Sequence, residues 1–198
     1  MSPFPRRLAC VLLVFGGLVA GCASNVERPA FPQISFSHLP PIKLDVARID
    51  VENHYVSPDT KPNVEHLFPV SLAGTAMNWG RDRLKAVGSS GVARLTVDRA
   101  SVVEVPLKRT TGLQGLFTTD QAERYDGVVR VTLKIFDAGG EERATATATA
   151  SRSQTVPEDI SLDERDKVWF GMTEKMMGTL NNTLEKAIRE NLAQWVRK

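Results

Sequence analysis

The sequence has 198 residues, with 25 Lys and Arg against 23 Asp and Glu and a formal net charge of +2. That balance, with no run of like charge, excludes a basic nucleic-acid-binding surface and a charged interaction tail. The length suits one domain with a real hydrophobic core, and two cysteines are too few for a disulfide framework.

The chain opens with a basic pair, Arg6 and Arg7, followed by an apolar run from Leu8 to Ala20. Those 13 residues fall short of the roughly 20 that a bilayer-spanning helix needs. They match the length of a signal-peptide core that ends in small residues. Leu18-Val19-Ala20-Gly21-Cys22 then resembles the lipobox of bacterial lipoproteins. In that family the cysteine thiol takes a diacylglycerol, the leader is cut off before it, and the new terminal amine is acylated. The resemblance implies that residues 1–21 are a signal peptide and that Cys22 is the lipid attachment site. More than one acyl chain holds a protein firmly to a membrane. Residue 23 is Ala rather than the Asp that retains such proteins in the inner membrane, which implies an outer-membrane anchor with the domain facing the periplasm. Loss of Arg6 and Arg7 leaves 23 basic residues against 23 acids. With Cys10 removed and Cys22 acylated, the mature chain has no disulfide, and its stability must come from packing.

Residues 22–41 carry Pro29, Pro32, Pro40 and Pro41 among Ser, Asn and Gln, the composition of an extended tether. The remaining 42–198 read as a single domain. Ile42–Tyr55 alternates, but the apolar face shifts by one residue at Val46–Ala47, predicting a strand with a bulge or strong bend. After a polar loop, Leu72, Ala76, Trp79, Leu84 and Val87 recur at near-helical spacing, closed by Gly88 and Gly91; this predicts a first helix between Pro69 and Val87. Val92–Leu107 is rich in β-formers, with Ala93, Leu95 and Val97 on one face and Val103, Val105 and Leu107 sharing a face further on. Val128–Phe136 is the clearest strand, with Val129, Val131, Leu133 and Ile135 on one side. Asp137-Ala138-Gly139-Gly140 is turn chemistry and predicts a hairpin. In the returning strand Ala144, Ala146, Ala148 and Ala150 alternate with threonines, a row of methyls that lets a helix approach closely.

The last helix begins at Ser161, where Ser161 and Glu164 fit a capping box. Val168 or Trp169, then Met172, Met176, Leu180, Leu184, Ile188, Leu192 and Trp195 form one stripe. Run to Val196, such a helix is about 54 Å long, against a domain about 37 Å across. It must either break, with Gly178 the natural place, or overhang its sheet. The order β-α-β-β-β-α predicts an α+β two-layer sandwich: a mainly antiparallel sheet of about four strands with two helices on one face. The lipobox at Cys22, the Tyr125–Phe136 strand with its Asp137–Gly140 turn, and the terminal helix together resemble a group of envelope lipoproteins. These are the lipopolysaccharide-assembly lipoprotein and the auxiliary lipoproteins of ABC-type transport systems. The likeness is one of architecture and implies a role only by analogy.

Catalytic chemistry is not legible. His38 sits in the tether. His54 and His66 flank a loop with Asp59 and Glu65, but the spacing fits no zinc pattern, so no metal and no cofactor is expected. No serine has a nucleophile-elbow context, and Asn181-Asn182-Thr183 matches a glycosylation sequon by chance. The segment suited to contact is Lys108–Tyr125, where Leu113, Leu116 and Phe117 lie between glycines in a connection between strands. Three large apolar residues there either fold under the sheet edge or meet a partner. The expectation is a non-catalytic, membrane-anchored protein without nucleic-acid contacts, binding another envelope protein in lipid or lipopolysaccharide transport. The alternative is a module that carries lipid between the sheet and the long helix.

Overall fold

The computed structural model describes residues 30–107 and 121–198. Strands β1 (Ile42–Leu44) and β2 (Arg48–Asn53) precede helix α1 (Leu72–Arg83). Strands β3 (Leu84–Ala86), β4 (Val92–Pro106), β5 (Gln121–Phe136) and β6 (Glu142–Pro157) follow. Helix α2 (Leu162–Asn191) and the short strand β7 (Val196–Arg197) complete the fold. The large sheet has the order β2-β4-β5-β6 and the small one β3-β1-β7. β4, β5 and β6 are antiparallel, whereas β2 runs parallel to β4. The α+β class and the helices on one face of a four-stranded sheet are as read from the sequence; the small sheet and the parallel edge are additions to it.

The expectation of one bent strand over Ile42–Tyr55 is corrected: the chain leaves one sheet and enters the other. Leu44 pairs with Ala86 and Val196, while Arg48 already pairs with Val92. The face shift read at Val46–Ala47 marks this transfer. Helix α1 starts where Ser71 caps it, its Oγ accepting from the Gly74 N–H at 3.1 Å. It ends four residues earlier than expected, because Leu84–Ala86 pairs with β1 as β3. Val87, counted in the helical stripe, is exposed. The turn after β3 needs its glycines. A Cβ on Gly88 would lie 2.7 Å from the main chain of Asp45 and Val46, and Gly91 has φ +73°.

In β4 the register shifts between Val97 and Arg99. This bulge moves the core face from Ala93, Leu95 and Val97 to Ala100 and Val102. Val103 and Val105 share a face, as expected, and lie half-buried on the side opposite Ala100 and Val102. In β5, Val129, Val131, Leu133 and Ile135 are buried, and in β6 Ala146, Ala148 and Ala150 lie under α2 while Thr145, Thr147 and Thr149 are exposed. The hairpin closes at Asp137 and Gly140, the latter with φ +82°.

Both halves of the capping box at Ser161 and Glu164 are formed. Trp169, Met172, Met176, Leu180, Leu184, Ile188 and Leu192 are all buried. The helix does not break at Gly178. It continues to Asn191, a length of about 45 Å, and the chain then turns so that β7 joins the small sheet. A Cβ on Gly171 or Gly178 would meet nothing within 4 Å, so both glycines face away from the sheet and create no kink. The apposition to the sheet is tight elsewhere: a Cβ on Gly127 would come within 2.6 Å of the Met172 Cε.

The N-terminal part of the described chain packs on the helices. Phe31 meets Phe170 at 5.1 Å between ring centroids, and Phe36 is buried in the core. The Phe36 N–H and the Ser35 hydroxyl both donate to Asp82 Oδ2, at 2.7 and 2.9 Å. At the far end Arg83, 1% exposed, donates to the Pro40 carbonyl and to Glu185 Oε2, each at 2.5 Å. Residues 31–40 are thus a strap across α1 and α2, within the stretch whose composition reads as tether.

Candidate interaction site

The sequence places its binding residues Leu113, Leu116 and Phe117 in the connection between β4 and β5, and its lipid attachment at Cys22; all four lie outside the described residues. The base from which that connection springs is well defined. The Leu107 N–H donates to the Ala122 carbonyl at 2.9 Å, closing the ladder. Beneath it Trp169 stacks on Phe68 (4.9 Å, 9°) and receives the edge of Tyr125 (5.5 Å, 82°), arrangements that aromatic quadrupoles favour.

A ring of charge surrounds this aromatic block. The Tyr125 hydroxyl donates to Glu123 Oε2 at 2.5 Å, Arg165 lies 3.6 Å from the same carboxylate, and Lys61 pairs with Glu104 at 2.6 Å. Burial first, then the bond to Glu123, pushes the Tyr125 phenol well above its ordinary value. It stays a neutral donor at any physiological pH.

The loop that carries the histidines is organised around Glu65. Its buried carboxylate accepts from the Tyr55 hydroxyl (2.5 Å), the Ser57 hydroxyl (2.7 Å) and the Val102 N–H (3.0 Å), with Asn63 Nδ2 at 3.3 Å. Burial acts to raise the carboxyl, but the bonds from Tyr55, Val102 and Ser57 outweigh it and hold Glu65 below the ordinary carboxylate value. Those donors occupy the oxygens a metal would need. His54 turns outward to Glu52 (3.0 Å), and His66 lies 3.9 Å from Asp59. Among the described residues no group of three or more His, Cys, Asp and Glu is placed to hold a metal. The buried role of Glu65 was not read from the sequence, since its donors come from Tyr55, Ser57 and a strand 37 residues away.

The face of the large sheet opposite the helices has no described layer over it and carries a polar lattice. Thr132 donates to Asp98 at 2.6 Å and lies 3.1 Å from Thr147. Arg130 reaches Thr149 at 3.2 Å, Lys134 pairs with Glu142 at 2.8 Å, and Arg124 with Asp126 at 2.8 Å. The guanidinium of Arg94 sits 5.3 Å over the Phe136 ring.

No protein-family model matches the chain, and no curated protein matches its sequence. Among solved structures it is similar to the rare lipoprotein B from Shewanella oneidensis, with 12% identity, 70% of this chain and 92% of that one covered, and a TM-score of 0.37. It is similar to a minor lipoprotein from Acinetobacter baumannii, with 12% identity, coverage of 78% and 98%, and a TM-score of 0.37. An uncharacterized lipoprotein B from Nitrosomonas europaea gives 11% identity, coverage of 75% and 86%, and a TM-score of 0.40.

Proposed function

We propose that this chain is a non-catalytic lipoprotein of the bacterial envelope, anchored in the outer membrane through Cys22. Its periplasmic α+β domain binds another envelope component in lipid or lipopolysaccharide transport. The observation that carries the reading is Leu18-Val19-Ala20-Gly21-Cys22 behind a basic pair and a 13-residue apolar run. No helix among the described residues is long and apolar enough to cross a membrane, which fits an anchor made of lipid. The carboxylates of the sheet end and of the Glu65 loop are committed to structural bonds, which fits a binding protein.

The alternative reading, lipid carried between the sheet and α2, has less support. That layer is filled by Met172, Met176, Met177 and Leu180 against Ala146, Ala148 and Ala150, all nearly or fully buried. Mass spectrometry of the purified membrane-fraction protein tests the anchor. A mature end at Cys22 carrying the diacylglyceryl mass is expected; an intact leader, or another mature end, would refute it. Purification from detergent-solubilised membranes then tests the binding role. A stoichiometric envelope protein supports it, while bound lipid with no protein supports the alternative.

A further inference from the structure

We infer that the domain hangs from the membrane by its helix layer, with the polar outer face of the large sheet turned away from the bilayer. The inference rests on Cys22 being lipidated and deepens that reading by giving the body an orientation. Its basis is where the link to the anchor ends. Phe31 is held against Phe170, Phe36 is buried with its N–H on Asp82, and Pro40 is held by Arg83. The strap is therefore part of the folded body, and only nine residue steps separate Cys22 from Phe31. Whatever path they take, nine residues span at most about 30 Å.

The link reaches the body on α2, which packs against the sheet through Met172, Met176, Leu180 and Leu184. Thr132, Thr147 and Thr149 lie on the opposite face. To bring that face to the lipid, the link would have to pass around the helix layer and the sheet edge. Each ångström used in that detour is lost from a short reach. The short route leaves α1 and α2 toward the bilayer and displays the threonine and ion-pair lattice to the periplasm.

Energy transfer in reconstituted vesicles tests this. The introduced thiol in a Lys175→Cys or Thr147→Cys chain is the only one able to take a donor dye, since Cys22 is acylated and Cys10 departs with the leader. Lys175 is exposed on α2 and Thr147 is exposed on the outer sheet face. The lipidated full chain is reconstituted into phosphatidylethanolamine–phosphatidylglycerol vesicles carrying a headgroup-linked acceptor. Transfer from position 175 is expected to exceed that from 147 several-fold. An insert of about 30 Gly and Ser residues between Ala30 and Phe31 lengthens the link and is expected to bring the two efficiencies together. Equal or reversed transfer in the parent, or a difference that survives the insert, would overturn the orientation. A Cys22→Ser chain made without residues 1–21 that floats with vesicles as fully as the parent would overturn the anchor reading instead.

Discussion

The indole nitrogen of Trp79 donates to Oδ1 of Asn181 at 2.8 Å, joining α1 to α2 in the core. Both side chains are buried, so neither can exchange this bond for water. Asn181→Leu is expected to strand the indole N–H and to lower the unfolding free energy by about 1–3 kcal/mol. In urea titrations the double variant with Trp79→Phe should lose less than the two single variants summed, because it leaves no donor unpaired. Simple additivity would show that the bond adds little.

A second cross-link predicts an asymmetry. Arg83 is almost wholly buried, whereas the Glu185 side chain is 29% exposed and also holds Arg189 at 2.6 Å. Glu185→Ala leaves a buried cation with only the Pro40 carbonyl and is expected to cost about 3 kcal/mol. Arg83→Met leaves a carboxylate that still has water and Arg189, and should cost clearly less. Thermal or urea denaturation of the two variants ranks them, and equal losses would contradict the asymmetry.

The glycines separate by what a methyl would meet. Gly171→Ala and Gly178→Ala add a side chain into open space on a regular helix, and each is expected to stabilise by about 0.5–1 kcal/mol. Gly88→Ala drives a methyl into the main chain of Asp45 and Val46 and should destabilise. Melting temperatures report both signs. A drop for Gly178→Ala would mean that another surface approaches α2 there.

Acid should weaken the fold partly through Glu65. Its carboxyl is held below its ordinary value in the folded protein, so the ionised form stabilises the fold. That stabilisation is full above the unfolded value, about 4.3, and disappears as pH falls through the lower folded value. Glu65→Gln is expected to be less stable than the parent at pH 7 and to show a flatter loss of stability below pH ~4.5. Urea midpoints across that range check it; parallel curves would remove Glu65 from the acid response.

Legibility followed the range of the forces involved. The capping box, the 137–140 turn, the alanine row and the α2 stripe as far as Leu192 depend on neighbours a few residues apart and stand in the structure as read; Trp195, the last member expected in the stripe, lies beyond the end of α2 at Asn191. The class of the fold followed from them. The transfer from β1 to β2, the conversion of Leu84–Ala86 from helix to strand, and the packing of Phe31 and Phe36 depend on partners far along the chain. Ile42 gives Leu84 a strand to join, and Asp82 gives Phe36 a place to dock; neither pairing leaves a periodic trace. The length of the stripe allowed either a break near Gly178 or an overhang; α2 runs through Gly178, because burial of the whole opposite stripe exceeds the cost of one glycine. Leu113, Leu116 and Phe117, expected to make contacts, lie outside what the structure describes; the block of Tyr125, Trp169 and Phe68 joins residues far apart in the chain and leaves no local pattern.

The small sheet joins β1 to β7, and Asp45 to Arg197, across 152 positions of sequence. Closing so long a loop is slow and gains nothing until nearly all of the intervening chain is in place. A polypeptide emerging from its N-terminal end would therefore expose Ile42 and Leu44 early and find their second partner last. During that interval the half-made edge is the segment most open to pairing with another chain.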